Sequence, residues 1–332
     1  MARCFHHLAR NGLLKRLALL TAAVLTLWFP AGCGEETEKR SGEQPVARPI
    51  ASAPSSETGS GPSSEGEADE SEPPPITTEE ELRAALKEKN PQFDGEVYVQ
   101  TDGGRIAVVG LGDPAIEDIS PLAGLPLERL ELMGCPTSDI SPLKGMPLRV
   151  LGLEQTAVRD ISALKGMPLV VLSLSHTRVD DISPLAGAPL EELYLVRTKV
   201  TDLSPLAGMK HLRSLWLNDS PASDITPLAT VPLVSLTLAG TKVSDLSPLK
   251  GLPLRRLHIA RSEVTDLAPL GWLQLDRLVF TPGKIEAGIE HARNMRALRE
   301  IGTAFGEESE GRQSDIGPPE VFWEQYDAGK FK

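Results

Sequence analysis

The chain has 332 residues, of which 40% are hydrophobic and 24% charged, a composition that predicts a folded protein for the bulk of its length. Aromatic residues make up only 4%, so aliphatic side chains must fill most of the core. The formal net charge is −12, and without the four basic residues of the N-terminal leader it becomes −16. So acidic a chain is not expected to bind nucleic acid.

Residues 1–33 have the pattern of an export leader. Four basic residues and no acid come first: Arg3, Arg10, Lys15 and Arg16. The apolar run 17–29 follows and is too short to span a bilayer comfortably. It ends in Pro-Ala-Gly-Cys33, which resembles the lipobox of bacterial lipoproteins. That resemblance implies a diacylated Cys33 at the mature N-terminus, and Gly34 after it implies the outer membrane where the source has one. An uncleaved membrane anchor and a simple secretory leader are the alternatives.

Residues 34–76 change to Glu, Ser, Pro and Gly, with 10 acids against 3 bases and almost no residue that could form a core. This composition predicts a disordered acidic linker. Its charge is interpreted as keeping the segment solvated, and an acidic partner-binding segment is the alternative.

Residues 77–105 predict an N-terminal cap. Thr78 and Glu81 have the spacing of a capping box, and apolar residues then recur at helical intervals until an Asn-Pro pair. Two strand-like runs, 96–100 and 105–111, flank a Thr-Asp-Gly-Gly turn, which predicts a hairpin. Together the helix and the hairpin are expected to cover the apolar end of the segment that follows.

Residues 106–282 repeat one phrase every 21 or 22 residues. One leucine marks each repeat: Leu127, Leu148, Leu169, Leu190, Leu212, Leu233, Leu254 and Leu275. A period of this length indicates a solenoid. Each Leu-x-x-Leu-x-Leu segment predicts a short strand with one buried face, so nine parallel strands are expected, beginning near Ile106 and near each of those leucines.

Two further slots recur in every repeat. A small hydroxyl residue nine positions into most units, such as Thr198, is expected to satisfy buried backbone groups where the chain leaves the strand. The phrase Asp-Ile/Leu-Ser-Pro-Leu, with Ser capping and Pro in the first position, predicts a 3₁₀-like turn. Beyond the repeats, residues 283–332 predict a C-terminal cap with a helix over 285–298 and a last amphipathic helix over 319–331. The last helix is interpreted as packing back on the cap, with a partner-docking peptide as the alternative.

These repeats resemble the leucine-rich repeats of bacterial surface proteins, close to the internalin type. The resemblance implies an α/β fold class: a right-handed solenoid with a parallel sheet on the concave face, short 3₁₀ turns and loops on the convex side, and a cap at each end. It carries over no catalytic residues. The sequence also lacks the phosphate-loop, zinc-protease, Cys-x-x-Cys and nucleophile-elbow motifs, so no enzyme activity, cofactor or metal is predicted.

The outward residues of the strands are the candidate site. Tyr194 and Trp216 occupy the same slot in adjacent repeats and should be neighbours, since parallel strands lie about 4.8 Å apart. The predicted partner-binding set is Tyr194, Trp216, Arg197, Asn218, Asp219, His176, His258 and Arg261. The alternative is that the rings only shield the sheet.

The predicted function is therefore a non-catalytic, membrane-anchored, monomeric recognition module of the bacterial cell envelope that binds a protein on the concave sheet. A structural envelope component that packs against neighbouring proteins or cell-wall polymer is the second hypothesis, and a secreted or periplasmic location is the alternative to anchoring.

Overall fold

The computed structural model describes residues 76–304 and 315–331. The predicted leader, Cys33 and the acidic linker lie outside the described residues, apart from Ile76.

One sheet of eleven strands runs through the described chain in sequence order. Only β1 (Tyr98–Asp102) and β2 (Arg105–Gly110) pair antiparallel, as the predicted hairpin requires, and every later pair is parallel. The remaining strands are β3 (Arg129–Glu131), β4 (Val150–Gly152), β5 (Val171–Ser173), β6 (Glu192–Tyr194), β7 (Ser214–Trp216), β8 (Ser235–Thr237), β9 (Arg256–His258), β10 (Arg277–Val279) and β11 (Glu300–Gly302).

The prediction of nine parallel strands is wrong by one, because β11 adds a tenth beyond the recognisable repeats. Ile301 is fully buried in this strand and takes the place of the repeat leucine. The strands also begin two residues after the marker leucines: Leu127, for example, is buried before β3 begins. The first leucine of each unit therefore belongs to the core but not to the strand.

A 3₁₀ turn links each repeat strand to the next. These turns are Ser120–Leu122, Ser141–Leu143, Ser162–Leu164, Ser183–Leu185, Ser204–Leu206, Thr226–Thr230, Ser247–Leu249 and Ala268–Trp272. The prediction of 3₁₀ turns is confirmed, but the prediction that Ser caps them is wrong. Asp202 Oδ1 accepts the Ser204 N–H at 2.8 Å, and Ser204 Oγ donates to Asp202 Oδ2 at 2.8 Å. The turn is therefore capped by the aspartate, whose carboxylate accepts the N–H two residues later. Leu203, which lies between them at the N-cap position, has no acceptor on its side chain.

The core is a stack of aliphatic layers between the sheet and the turns. In one repeat Leu190, Leu193 and Leu195 are all fully buried. Thr198 Oγ1 donates to the Leu195 carbonyl at 2.9 Å, so the hydroxyl slot satisfies the backbone where the chain leaves the strand. The same bond forms at Thr156, Thr177, Thr241 and Ser262.

Helix α1 (Glu79–Lys89) closes the N-terminal end of the stack. Its predicted capping box is present between Thr78 and Glu81, and Leu82 and Leu86 are fully buried. Asn90 ends the helix and joins it to the first repeat. Its Oδ1 accepts the N–H groups of Glu117 and Asp118 at 2.9 Å, while its Nδ2 donates to the Leu86 and Asp118 carbonyls at 3.0 and 2.8 Å.

The C-terminal end differs from the prediction of one helix over 285–298. Helix α2 covers only Ile289–Arg293, because the chain then returns to the sheet as β11. Helix α3 (Pro319–Asp327) packs back on the stack, with the Phe322 ring 5.7 Å from that of Phe280. This contact supports the packing interpretation of the last helix. Within the described ranges, no helix is long and apolar enough to cross a membrane.

Candidate functional site

The outward side chains of the strands form two rows across the concave face, because paired strands keep the same register throughout. The first row is Arg129, Val150, Val171, Glu192, Ser214, Ser235, Arg256, Arg277 and Glu300. The second row is Glu131, Gly152, Ser173, Tyr194, Trp216, Thr237, His258, Val279 and Gly302.

Tyr194 and Trp216 are direct partners in the second row, as predicted. Their ring centroids lie 5.4 Å apart with the planes tilted by 50°. Both side chains are half-buried rather than freely exposed, and each is bonded to the first row. The Tyr194 hydroxyl donates to the Glu192 carboxylate, and Trp216 Nε1 donates to Ser214 Oγ at 3.3 Å. Burial, with the nearby Glu192 carboxylate, raises the pKa of Tyr194, so the hydroxyl stays protonated and remains a donor.

A cleft of about 450 Å³ opens beside this pair. Tyr194, Trp216, Thr237 and His258 line it from the second row. Charged side chains also line it: Glu191, Glu192, Arg213, Arg256 and Arg277. The cleft therefore combines an aromatic surface with groups of both charges.

His258 and Asn218 lie on the outward side of the sheet but are buried, with 4% and 7% of their surface exposed. The pKa of His258 is lowered to about 4, chiefly by burial and in addition by the neighbouring Arg261, while Asp219 opposes the shift. The imidazole is therefore neutral near pH 7. These two residues offer a partner much less surface than their outward positions led us to expect.

The charged members of the predicted set lie where the chain leaves the strands. This slot has a left-handed backbone in successive repeats, with φ of 60° at His176, 53° at Arg197, 54° at Asp219 and 59° at Arg261. The Asp219 carboxylate lies between two arginines, 3.4 Å from Arg197 Nε and 3.0 Å from Arg261 Nη1. The structure thus brings Arg197, Asp219 and Arg261 together, while His176 is exposed one repeat away.

The N-terminal part of the same face carries a buried ion pair that the sequence analysis missed. Arg129 Nη2 lies 3.2 Å from Glu131 Oε1, with side-chain exposures of 9% and 11%. A Cβ on Gly152 would lie 1.7 Å from Glu131 Oε2, so any larger residue here would displace this carboxylate. Burial raises the pKa of Glu131 although Arg129 opposes the shift.

The sequence analysis does not include Glu192, Ser214, Arg256 and Arg277, because they lie outside the slots between and just after the last two leucines of each repeat. The first row lies two residues before the second on every strand. Counting back two positions from Tyr194 and Trp216 would have found it.

A family profile described as leucine-rich repeats in two copies matches residues 190–230. An internalin (inlF) from Listeria monocytogenes is 28% identical, with 67% of this chain and 67% of that chain covered and a TM-score of 0.52. An internalin C2 (inlC2) from the same organism is 30% identical, with 60% of this chain and 92% of that chain covered and a TM-score of 0.49. No curated protein matches the chain.

The repeat profile lies within the segment that carries the 21-residue period, and the internalin shares the repeat architecture over two thirds of each chain. The sheet of parallel strands joined by short 3₁₀ turns is the geometry that this repeat produces. The chain is therefore a leucine-rich repeat protein.

Proposed function

We propose that this protein is a non-catalytic recognition module of a bacterial cell envelope, anchored to a membrane by lipid, and that it binds a protein partner on its concave sheet. The observation that carries the proposal is the Tyr194–Trp216 pair beside the cleft. Large aromatic side chains at the centre of an interface contribute much of the binding energy, because they bury a large area and lose little conformational freedom.

The contacts around the pair support this use. The bonds from Tyr194 to Glu192 and from Trp216 to Ser214 hold both rings in place before a partner arrives. A partner that covers them therefore pays less ordering entropy than one that meets mobile side chains. Arg197, Asp219 and Arg261 form a charged rim on the C-terminal side of the strands. We propose these residues, with His176 and the exposed fractions of Asn218 and His258, as the edge of the interface.

A binding measurement on the double variant Tyr194→Ala/Trp216→Ala tests the site. A photo-crosslinking residue in place of the exposed Arg197 first captures the partner from the native envelope, and the captured protein is then purified. Loss of a hot spot costs about 2 kcal/mol or more, so we expect affinity to fall by roughly thirtyfold or more.

Trp272→Ala is the matched control, because this tryptophan is 70% exposed but lies on a 3₁₀ turn outside the sheet. Its loss should leave affinity unchanged. If instead the double variant binds normally, the partner does not use the concave rings.

Lipid anchoring through Cys33 is a separate part of the proposal and rests on the lipobox resemblance. Cys33→Ser should abolish labelling with a radioactive fatty acid and release or misprocess the protein, whereas Cys4→Ser, within the same leader, should keep the label. If labelling survives Cys33→Ser, Cys33 is not the lipidated residue. The alternatives are then a secreted or periplasmic protein, or one held by an uncleaved leader.

A second candidate function, a structural envelope component, is favoured by a different surface. A groove of about 680 Å³ runs along the N-terminal edge of the strands. Its floor includes prolines from four successive repeats: Pro126, Pro147, Pro168 and Pro189. If this edge packs against neighbouring proteins or polymer, Arg149→Glu in the groove should weaken envelope association while the Tyr194/Trp216 variant leaves it intact.

A further inference from the structure

We infer that the concave cleft selects an extended peptide segment in which a basic residue and an acidic residue lie about four positions apart, with an apolar side chain between them. This inference rests on the proposed function and names the chemistry of its partner. The charge arrangement along the first outward row carries it.

One end of the cleft is acidic. Glu192 on β6 and Glu191 beside it both line the cleft and are half-buried. The Tyr194 hydroxyl donates to one oxygen of the Glu192 carboxylate. A carboxylate has acceptor capacity for several hydrogen bonds, so Glu192 can still receive a lysine or an arginine from a partner.

The other end is basic. Arg256 on β9 is exposed and has no ion-pair partner among residues 76–304 and 315–331. Arg277 on β10 follows it in the row and contacts Glu300 at 2.5 Å. This end of the cleft is thus opposite in sign to the net charge of the chain, which is −12. A guanidinium such as that of Arg256 can bind a carboxylate through two parallel hydrogen bonds.

Arg213, the remaining arginine that lines the cleft, does not change this arrangement of an acidic end and a basic end. Arg213 donates from Nη1 to the Lys210 and Pro232 carbonyls at 3.0 and 3.4 Å, which holds its head group at the N-terminal edge of the strands. On the opposite edge, Arg261 is bound to Asp219. The open charges that face each other along the row are therefore those of Glu192 and Arg256.

Between these two ends the row contains only Ser214 and Ser235, and the Trp216 ring stands beside them in the second row. Glu192 and Arg256 are three strands apart, or about 14 Å at 4.8 Å per strand. An extended chain advances about 3.4 Å per residue, so four residues cover the same distance. A peptide lying across the strands could place its base at Glu192, an apolar side chain on Trp216 and its acid at Arg256.

Selection from a phage-displayed library of random twelve-residue peptides on the immobilised full-length chain tests this inference. We expect the enriched peptides to share a Lys or Arg and an Asp or Glu three to five positions apart, with an aromatic or aliphatic residue between them. A peptide selected in this way should bind at least tenfold more weakly to Arg256→Glu. Selection on that variant should replace the acidic residue by a basic one.

Arg178→Glu is the matched control, because this exposed arginine lies in a loop outside the two rows, and it should select the same peptides as the unchanged protein. Enriched peptides that need Tyr194 and Trp216 for binding but carry no spaced charges would overturn the inference. Selection of the same peptides on Arg256→Glu as on the unchanged protein would also overturn it. In both cases the proposed function would still stand. Absence of any enrichment over the Tyr194→Ala/Trp216→Ala variant would overturn both.

Discussion

Arg261 reaches over Gly240 to contact Asp219, a residue 42 positions earlier in the chain, with Nη1 3.0 Å from Oδ1. The two residues occupy the same slot two repeats apart, and Gly240 occupies it in the repeat between them. A Cβ on Gly240 would lie 2.2 Å from Asp219 Oδ1 and 3.3 Å from Arg261 Nη1. The absence of a side chain at this one position lets the ion pair cross a repeat.

Gly240→Ala should therefore destabilise the protein more than an equivalent glycine replacement. Gly187 has a similar left-handed backbone, with φ of 75° against 66°, but a Cβ there would meet nothing within 4 Å. The backbone penalty is about 1 kcal/mol in both variants. Loss of the ion pair should add about 0.5 to 1 kcal/mol for Gly240→Ala only. Urea unfolding measures both, and equal losses would mean that the pair contributes nothing.

Asn90→Ala should loosen the N-terminal cap. Asn90 is only 4% exposed, and its amide bonds to the backbone on both sides of the junction between α1 and the first repeat. Removing it leaves buried backbone groups without partners, at a cost of about 2 to 3 kcal/mol. Urea unfolding should show this loss, and hydrogen exchange should show faster opening of α1. Asn294→Ala, at an exposed helix end, is the control and should change stability by no more than about 0.5 kcal/mol.

His258 should make stability depend on pH between 6.5 and about 4. Burial lowers the pKa of the folded imidazole from 6.5 to about 4, so in this window the unfolded chain binds a proton that the folded chain does not. Stability should fall as pH decreases through the window, by at most roughly 3 kcal/mol. Melting temperatures of His258→Gln should vary less with pH, whereas the exposed His211→Gln should retain the original slope. Identical slopes for both variants would show that His258 protonates freely in the fold.

The aspartates that cap the 3₁₀ turns should account for most of the change in stability with pH at lower pH. Hydrogen bonds from the backbone and hydroxyl groups of Ser162 and Ser204 lower the pKa values of Asp160 and Asp202 below their ordinary 3.8. Their contribution is present above pH 3.8 and is lost as pH falls through the lowered values. Asp160→Asn/Asp202→Asn should therefore lose less stability than the unchanged protein between pH 4 and 2, as measured by circular dichroism. A steeper loss would contradict this assignment.

Several elements could be predicted from local pattern because their causes are local. The 21-residue period and the alternation of Leu193 and Leu195 indicate parallel strands with the leucines inward, since a shift by one residue would expose every leucine. Thr198 Oγ1 donates to the Leu195 carbonyl three residues earlier, and Thr78 Oγ1 accepts the Glu81 N–H three residues later. The neighbourhood of Tyr194 and Trp216 followed from the same register.

The properties of the candidate site depended on contacts between repeats, which no single repeat contains. His258 and Asn218 have outward positions by period, yet both are buried in the assembled sheet. Likewise, Glu192 and Arg256 lie in one row only because the four strands β6 to β9 keep the same register. The Asp219–Arg261 ion pair forms only because Gly240 has no side chain between the two residues. The sequence by itself determined the repeat and the side of the sheet to which its leucine side chains point, because periodicity decides which side of a strand is apolar. The tertiary structure alone decided which outward residues remain accessible and which charges meet, because both depend on side chains contributed by neighbouring repeats.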